Sequence, residues 1–219
     1  GRPEGRRKEG EEVGLSELAL VVGLGNPGDR YVGTRHNVGW EVLDALVRRL
    51  AADPSRPTRI DRLDCRALTG RVKIGATPVL LAKPQTYMNL SGESVKGLLL
   101  KHAVPPERML VVSDDVALPV GRLRIRPSGS SGGQKGLQNV IDCLGTDAFP
   151  RLRIGIAGDH FRPGEDKADY VLERFSKAER AALVPVIATA CEAIETFVAE
   201  GLEVAMNRFN RSPETVPAS

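Results

Sequence analysis

The sequence predicts a single α/β domain with a mixed, twisted sheet that is parallel in its middle and flanked by helices. Its 219 residues suit one domain with one large core. Strand-like apolar runs alternate along the chain with segments of helical periodicity, which is typical of this fold class. The polar, glycine-rich residues 1–17 are expected to form a disordered leader, and residues 208–219 a flexible tail. The folded domain is therefore expected over residues 18–207.

The first half of the chain contributes a buried strand, a helix and a hairpin. Leu18–Gly23 is a continuous apolar run, as in a strand that is covered on both faces. Apolar residues then recur at helical spacing over His36–Leu50. Leu63–Ile74 and Pro78–Lys83 are predicted to be the strands of a hairpin, with the turn at residues 75–77.

The second half adds three helices and three strands. Ser91 is predicted to be the N-cap of a helix that runs to His102. Gly136–Leu144 is predicted to be a short helix and Ser176–Gly201 the longest one, with a kink at Pro185. The three strands are predicted at Met109–Ser113, Arg122–Arg126 and Leu152–Ala157.

The composition disfavours several classes of protein. No apolar segment is expected to approach the roughly 20 residues of a membrane span, and a signal peptide is not indicated, so we expect a cytoplasmic protein. The three cysteines, Cys65, Cys143 and Cys191, are far apart, and none is at metal-binding spacing from a histidine. We therefore expect reduced, buried thiols, no disulfide framework, no metal and no cofactor.

Positive charge is concentrated in one segment, although the net charge of the whole chain is only +3. Between Val120 and Arg153 there are six basic residues and two acidic ones. This excess suits a phosphate-bearing partner, but it is equally typical of a solvated strand with ordinary surface charge. The six bases are Arg122, Arg124, Arg126, Lys135, Arg151 and Arg153.

The first predicted strand leads into the stretch GLGNPG, residues 23–28, which has the G-x-G-x-x-G spacing of a dinucleotide-binding loop. In a dinucleotide site the third glycine lies inside the first helical turn. Here residues 27–31 are expected to form a turn, and helical periodicity begins only near His36. The acidic residue expected about 20 residues further on is missing, because Asp44 lies within the predicted helix. The sequence therefore disfavours a nucleotide-binding oxidoreductase.

Two polar residues of this region are placed where ligands commonly bind. Asn26 follows the first strand and His36 begins the first helix. Ligands of open α/β sheets bind beyond the carboxyl ends of the strands, so both residues are candidates for a site. A single histidine is more often structural than catalytic, and this region alone does not decide between the two roles.

Four blocks of sequence identify a family in combination. They are GLGNPGDRYVGTRHNVGW, KPQTYMNLSGESV, SDDVALPVGRLRIRPSGSSGGQKGLQNVI and FPRLRIGIAG. In this order and spacing the chain resembles the bacterial-type peptidyl-tRNA hydrolase family over Leu18–Asn207. The resemblance implies a monomeric α/β hydrolase that cleaves the ester joining a stalled peptide to the terminal ribose of tRNA, which recycles the tRNA.

The resemblance also implies roles for individual residues. His36 corresponds to the general base that activates a water molecule, and a neutral imidazole suits that task near physiological pH. Asp114 corresponds to the carboxylate that orients this histidine, whereas Asp115 is expected to be a solvated strand end. The other implied site residues are two amides that bind the peptide carbonyl or the water, and two tyrosines that line the groove: Asn26, Asn89, Tyr31 and Tyr87.

The remaining expectations concern the tRNA and one departure from the family. The resemblance assigns five residues of the basic segment to the acceptor arm and the 5′-phosphate of tRNA: Arg122, Arg124, Arg126, Lys135 and Arg153. The loop 129–136 is expected to be a mobile segment beside the site and residues 159–168 a lid-like segment, with ordinary surface connections as the alternative for both. Where many members have His-Asn, this chain has Gln134 and Lys135. We expect Lys135, a charged donor, to hold a phosphate and not the reactive ester.

Alternatives remain open for several of these residues. Met88 is as consistent with core packing as with a place beside the amides, and Lys135 with an ordinary solvated lysine. The G-x-S-x-G match at residues 129–133 lies in the glycine-rich loop and not between a predicted strand and a helix that follows it directly, so a nucleophile elbow and a covalent serine mechanism lack support. Within the resemblance, plastid splicing factors of the same fold bind intron RNA without hydrolysing peptidyl-tRNA, but they carry an added apolar surface that the polar ends of this chain do not supply.

Overall fold

The computed structural model describes residues 17–51, 59–159, 161 and 167–210. Within these ranges the strands are β1 (Ala19–Gly23), β2 (Arg62–Asp64), β3 (Ala67–Ile74), β4 (Thr77–Pro84), β5 (Met109–Pro119), β6 (Leu123–Arg126) and β7 (Arg151–Ala157). The α-helices of the same ranges are α1 (Val38–Leu50), α2 (Ser91–His102), α3 (Lys135–Leu144), α4 (Lys167–Leu172), α5 (Lys177–Glu200) and α6 (Leu202–Phe209).

The strands form one mixed sheet in the order β2-β3-β4-β1-β5-β7-β6. β1 pairs in parallel with β4 and β5, and β5 pairs in parallel with β7. The outer pairs, β3 with β4, β2 with β3, and β6 with β7, are antiparallel. The predicted fold class is therefore confirmed, with four parallel strands in the middle of the sheet.

Two helical layers cover this sheet. Alternate residues of a strand point to opposite faces, so Val21 joins one core cluster while Leu20 and Val22 join the other. The Val21 cluster includes buried residues of α1, α5 and α6, and the Leu20 cluster includes those of α2 and α3. β1 is buried along its whole length because helices pack on both sides of it.

The predicted hairpin has its turn where the sequence indicated, but its first strand was predicted wrongly. Ile74 pairs with Thr77, so the turn lies at residues 75–76 as expected. The predicted strand Leu63–Ile74, however, is two strands joined by Cys65 and Arg66, with φ of 46° and 60°. Two consecutive positive φ angles are typical of a type I′ turn, which glycine and asparagine usually signal. Neither is present at Cys65 or Arg66, so no turn signal is found at these positions.

The N-cap predicted for α2 was also wrong. Ser91 is the first helical residue, and its hydroxyl donates to the Met88 carbonyl over 2.7 Å without capping a helix N–H group. A serine cap occurs instead before α5, where Ser176 and Glu179 form a reciprocal capping box. Ser91 is preceded by a short 3-10 turn, Met88–Leu90, whose hydrogen bonds displace the start of the helix.

α5 corrects the expectation about apolar length. It continues through Pro185 for 24 residues, and by length and composition it could cross a membrane. The core helix of a soluble protein meets the same criterion, and α5 contributes Leu183, Ala190 and Ile194 to the core that it shares with α1. Its apolar content is therefore accounted for by packing inside the domain.

The domain extends further than the predicted boundary at Asn207. α6 ends at Phe209, and the Asn210 side chain accepts from Ile125 N over 2.8 Å and donates to Ile125 O over 2.9 Å. Because β6 is an edge strand, this asparagine satisfies main-chain groups that no further strand pairs with. Residues 1–16 and 211–219, and most of the segment 159–168, lie outside the described residues.

The cysteines differ in their environments. Cys191 is buried, and burial raises the pKa of its thiol to about 11. Cys65 and Cys143 are half-buried, so the expectation of burial was right for one thiol of the three. All three are free thiols.

Candidate active site

The structure brings the six candidate residues together around one cavity of about 390 Å³, beyond the carboxyl ends of β1 and β4 and beside the middle of β5. Parallel strands end at the same edge of a sheet, which is why residues distant in sequence meet there. The six are Asn26, Tyr31, His36, Tyr87, Asn89 and Asp114.

His36 and Asp114 form a buried pair at the base of the cavity. His36 Nδ1 lies 2.9 Å from both carboxylate oxygens of Asp114. The two residues are 6% and 3% exposed. A carboxylate can only accept, so Nδ1 carries a hydrogen, and in the neutral imidazole the lone pair is then on Nε2. This tautomer leaves Nε2 as an acceptor for a proton.

Arg35 fixes the 3-10 turn, Arg35–Asn37, that carries His36. Its N–H donates to Glu173 O over 2.9 Å, and its guanidinium lies 2.8 Å from Glu179 and 4.3 Å from the centroid of the Tyr170 ring. The arginine thus joins the histidine turn to α4 and α5. Its role does not follow from sequence patterns, because its partners lie about 140 residues away.

Asn37 holds Asn26 in place. Asn26 N donates to Asn37 Oδ1 and Asn37 Nδ2 donates to Asn26 O, both over 2.9 Å. The Asn26 side chain in turn accepts from Met88 N through Oδ1 over 2.7 Å. This bond fixes the orientation of the Asn26 side chain, whose Nδ2 is a donor that a substrate can use.

Asn89 and the two tyrosines lie nearer to solvent than the buried pair. Asn89 is exposed on the Met88–Leu90 turn, and Tyr87 is 53% exposed. Tyr31 is half-buried, and its ring lies 4.6 Å below the guanidinium of Arg30. These side chains form the mouth of the cavity, whereas the histidine and carboxylate lie deeper.

Met88 belongs both to the core and to the cavity wall. It is 4% exposed and joins the α2–α3 core, and it also lines the cavity. A Cβ atom on Gly136 would come within 2.3 Å of its sulfur, so the glycine allows the methionine to sit against the start of α3. The two alternatives left open by the sequence are therefore compatible.

Gln134 was missed as a site residue. It is 9% exposed, and its Nε2 donates to Asp114 Oδ1 over 3.0 Å and contacts Met88 Sδ at 3.3 Å. Its Oε1 accepts from Leu137 N over 2.5 Å, which caps α3. A glutamine immediately before a helix in a glycine-rich loop was the available signal, but glutamine is an uncommon N-cap and the signal is weak.

The basic segment divides into buried and exposed arginines. Arg151 is fully buried and donates to the carbonyls of Gly129, Asp147 and Phe149. Burial, with the nearby charge of Arg153, lowers the pKa of its guanidinium to about 10. Arg151 is therefore a structural residue. Its place in the basic segment had suggested surface charge instead.

Arg153 and Asp115 also depart from their expected roles. Asp115 is 9% exposed, lies 3.2 Å from Arg153 Nη1 and accepts from Ala117 N over 2.8 Å, so it is not a solvated strand end. Arg153 Nη2 donates to Ser130 O over 2.5 Å. The bond from Arg153 to Ser130 anchors the loop 129–136, which was predicted to be mobile, at the side of the cavity. Arg122, Arg124, Arg126 and Lys135 are the exposed bases of the segment.

The glycine-rich stretch after β1 has the geometry of a packing loop. Gly28, at φ 110°, is followed by a 3-10 turn at Asp29–Tyr31, and α1 begins only at Val38. A Cβ on Gly25 would lie 2.8 Å from the Trp40 ring. The loop thus lacks the helix N-terminus of a dinucleotide site, as the sequence indicated.

The hydroxyls of Ser131 and Ser91, near the cavity, are engaged in hydrogen bonds. Ser131 lines the cavity, but its hydroxyl donates to Gln138 Oε1 over 2.8 Å and accepts from Gly133 N over 3.2 Å. Ser91 donates to Met88 O. Over the described ranges, no group of three or more His, Cys, Asp or Glu residues is placed to hold a metal ion. The chemistry available from these side chains is that of a histidine base with amide donors around it.

Comparisons with known proteins identify the family of this chain. A family model described as peptidyl-tRNA hydrolase matches residues 20–217. A peptidyl-tRNA hydrolase of Moorella thermoacetica is 48% identical over 200 residues, which cover 90% of this chain and 100% of that protein. One of Desulforamulus reducens is 47% identical over 194 residues, 89% of each chain. The structure of peptidyl-tRNA hydrolase from Acinetobacter baumannii has a TM-score of 0.79 and 31% identity, covering 90% of this chain and 96% of that one. The chain belongs to the peptidyl-tRNA hydrolase family.

Proposed function

We propose that this protein hydrolyses the ester bond between the peptide and the terminal ribose of peptidyl-tRNA, as a cytoplasmic monomer, with a water molecule activated by His36. Family membership supports the substrate. The observation that supports the mechanism is the buried His36–Asp114 pair, which leaves Nε2 unprotonated in a cavity of about 390 Å³.

The proposed reaction uses the histidine twice. Nε2 of His36 takes a proton from water while the water oxygen attacks the ester carbonyl carbon. The charge of Asp114 stabilises the imidazolium that forms. When the tetrahedral intermediate collapses, the bond to the ribose oxygen breaks and the imidazolium returns the proton to that oxygen. The products are the free peptide and tRNA.

The amides supply uncharged donors for this reaction. Nδ2 of Asn26, whose side chain is fixed through its Oδ1 by Met88 N, is suited to bind the carbonyl oxygen as negative charge develops on it. Asn89, at the mouth, is suited to bind the peptide amide or the water. An aminoacyl-tRNA with a free α-amine lacks that amide and should be a poor substrate.

Hydrolysis of N-blocked aminoacyl-tRNA tests the proposed function. Release of tRNA from N-acetyl-aminoacyl-tRNA, with little release from the same tRNA carrying an unblocked amino acid, would support it. Binding of RNA without hydrolysis of either substrate would instead favour an RNA-binding role of the kind known for splicing factors of this fold.

Electrostatic binding of tRNA should depend on the exposed arginines of β6. Arg124 and Arg126 lie two residues apart on an edge strand, so they share one face of the sheet. Removing one phosphate contact should reduce the magnitude of the slope of log affinity against log salt by about one. We expect Arg126→Gln to do this and to weaken binding of different tRNAs similarly, measured by filter binding from low to physiological salt.

A matched control for Arg126→Gln is Arg49→Gln. Arg49 is an exposed arginine of α1 that pairs with Glu195 over 3.1 Å, in the layer opposite α3. Arg49→Gln removes the same charge at a place where no phosphate contact is proposed. The salt slope of this variant should therefore equal that of the unmodified protein. A flat salt dependence of the unmodified protein, or equal effects of the two variants, would contradict the proposed phosphate contacts.

Lys135 is proposed to hold a phosphate beside the reactive centre. It is exposed at the start of α3, where its ammonium and the helix N-terminus both favour an anion. We expect Lys135→Ala to raise KM several-fold, to reduce the magnitude of the salt slope by about one and to leave kcat little changed. Steady-state kinetics at two salt concentrations measure all three quantities.

Two other results for Lys135→Ala are informative. A large fall in kcat at unchanged KM would mean that the lysine acts on the transition state, which contradicts the phosphate assignment. No change in any of the three quantities would mean that Lys135 is an ordinary solvated lysine.

A further inference from the structure

Gln134 makes contacts that connect the catalytic pair to the start of α3. Its two amide heteroatoms point in opposite directions, one to Asp114 Oδ1 at 3.0 Å and one to Leu137 N at 2.5 Å. Asp114 Oδ1 also accepts from His36 Nδ1 at 2.9 Å. The carboxylate is therefore the junction of two buried donors, one on each side.

Chemistry fixes which amide atom faces Asp114. Leu137 N–H can only donate, so the atom beside it must be the amide oxygen, Oε1. Nε2 with its hydrogens then faces the Asp114 carboxylate, which can only accept. In a reversed amide, Nε2 would face the Leu137 N–H group, donor against donor, and Oε1 would face the Asp114 carboxylate, acceptor against acceptor. The chemistry therefore allows only the first orientation.

We infer that Gln134 is a positioning residue that orients Asp114 and thereby keeps the catalytic hydrogen of His36 on Nδ1. The inference rests on the proposed function for its effect on turnover. The bond from Nε2 limits rotation of the carboxylate about its Cβ–Cγ bond, so Asp114 presents an oxygen to Nδ1 at all times. Gln134 is itself held in place because its Oε1 accepts from Leu137 N and so caps α3.

A neutral amide suits this position better than a charged side chain. A lysine or arginine in the same place would neutralise Asp114 and weaken its stabilisation of the imidazolium. An amide donates a hydrogen bond without changing the net charge of the pair. The ionisable groups that the surrounding elements contribute to the cavity are Tyr31, Tyr87, Asp115, Lys135 and Lys167, and Arg153 is paired with Asp115.

The first test is Gln134→Ser. A serine at the N-cap can still accept from the helix N–H groups, but it cannot reach Asp114, so the variant removes the donor and keeps the cap. We expect kcat to fall about tenfold, which is the usual scale for losing a hydrogen bond to a charged group, while KM stays within twofold. Thermal melting checks that the fold is retained.

The second test is Gln134→Glu, which also keeps the cap but faces Asp114 with a second carboxylate. Two carboxylates about 3 Å apart disfavour each other's charged form, so they share a proton over part of the pH range. The charge beside His36 then varies with pH, so the rising limb of kcat/KM should change its position or slope. Gln138→Glu is the matched control, since Gln138 is an exposed residue one turn further along α3 that bonds to Ser131 and Asp142; its limb should not move.

The deciding measurement is the tautomer of His36, read from the ring nitrogen-15 signals above the pH at which the ring titrates. The unmodified protein should hold the hydrogen on Nδ1, and Gln134→Ser should increase the fraction with hydrogen on Nε2. If the tautomer of Gln134→Ser is unchanged, or if KM rises in place of the fall in kcat, the inference is wrong. The signals do not depend on turnover, so they still test Gln134 if the protein fails to hydrolyse peptidyl-tRNA and the proposed function is rejected.

Discussion

His36→Ala is expected to lower kcat for peptidyl-tRNA by about 10²–10⁴-fold, the usual scale for loss of a general base, while tRNA binding stays nearly normal. The reason is that the imidazole acts on the water in the transition state and contributes little to holding the tRNA. Single-turnover hydrolysis of N-acetyl-aminoacyl-tRNA measures the loss, and direct binding of deacylated tRNA measures the part that should be retained.

The chain supplies a matched control for this variant. His102 also pairs with an aspartate, since its Nε2 lies 2.9 Å from Asp64 Oδ2, but this pair is at the end of α2, and the active-site cavity has neither residue in its lining. His102→Ala therefore removes a second His–Asp pair without touching the cavity, and its kcat should stay within twofold. Near-normal turnover of His36→Ala would remove this histidine from the mechanism.

Asn26 and His36 could be placed at a candidate site from sequence because their positions follow from local rules. A buried strand, a loop and a helix in succession put both residues beyond the carboxyl end of a strand, where parallel sheets bind ligands. Asp114 directly follows another predicted strand, Met109–Ser113, so the same rule applies to it. This reasoning does not show which strands are neighbours in the sheet. The family resemblance was needed to assign Asn26, His36 and Asp114 to one site.

The features that sequence analysis missed depend on distant partners. Gln134 contacts Asp114, 20 residues away, and Arg35 contacts Glu179, 144 residues away, and neither contact follows from helical or strand periodicity. Arg151 and Arg153 looked like surface charge because arginine is usually exposed. The carbonyls of the loop 129–130 and the carboxylate of Asp115 provide the partners that allow these guanidinium groups to be buried or half-buried.

Asp114→Asn is expected to lower kcat by at least about tenfold but by a smaller factor than His36→Ala does, and to leave KM nearly unchanged. Part of the loss is the missing charge beside the imidazolium. The larger part concerns the tautomer, because both oxygens of Asp114 lie 2.9 Å from His36 Nδ1. Whichever way an asparagine amide is turned, its NH₂ group is then close to Nδ1–H, and two donors face each other.

The histidine can relieve this clash by moving its hydrogen from Nδ1 to Nε2, after which Nδ1 accepts from the asparagine. Nε2 then presents a hydrogen to the cavity and cannot take a proton from water. Nitrogen-15 signals of the ring should report this change, and kinetics on N-acetyl-aminoacyl-tRNA should report the loss of turnover. The control is Asp64→Asn, which alters the other His–Asp pair and should leave both quantities as they are. If Asp114→Asn moves the hydrogen to Nε2 but kcat is retained, water is not activated by His36, because a protonated Nε2 has no lone pair with which to accept a proton.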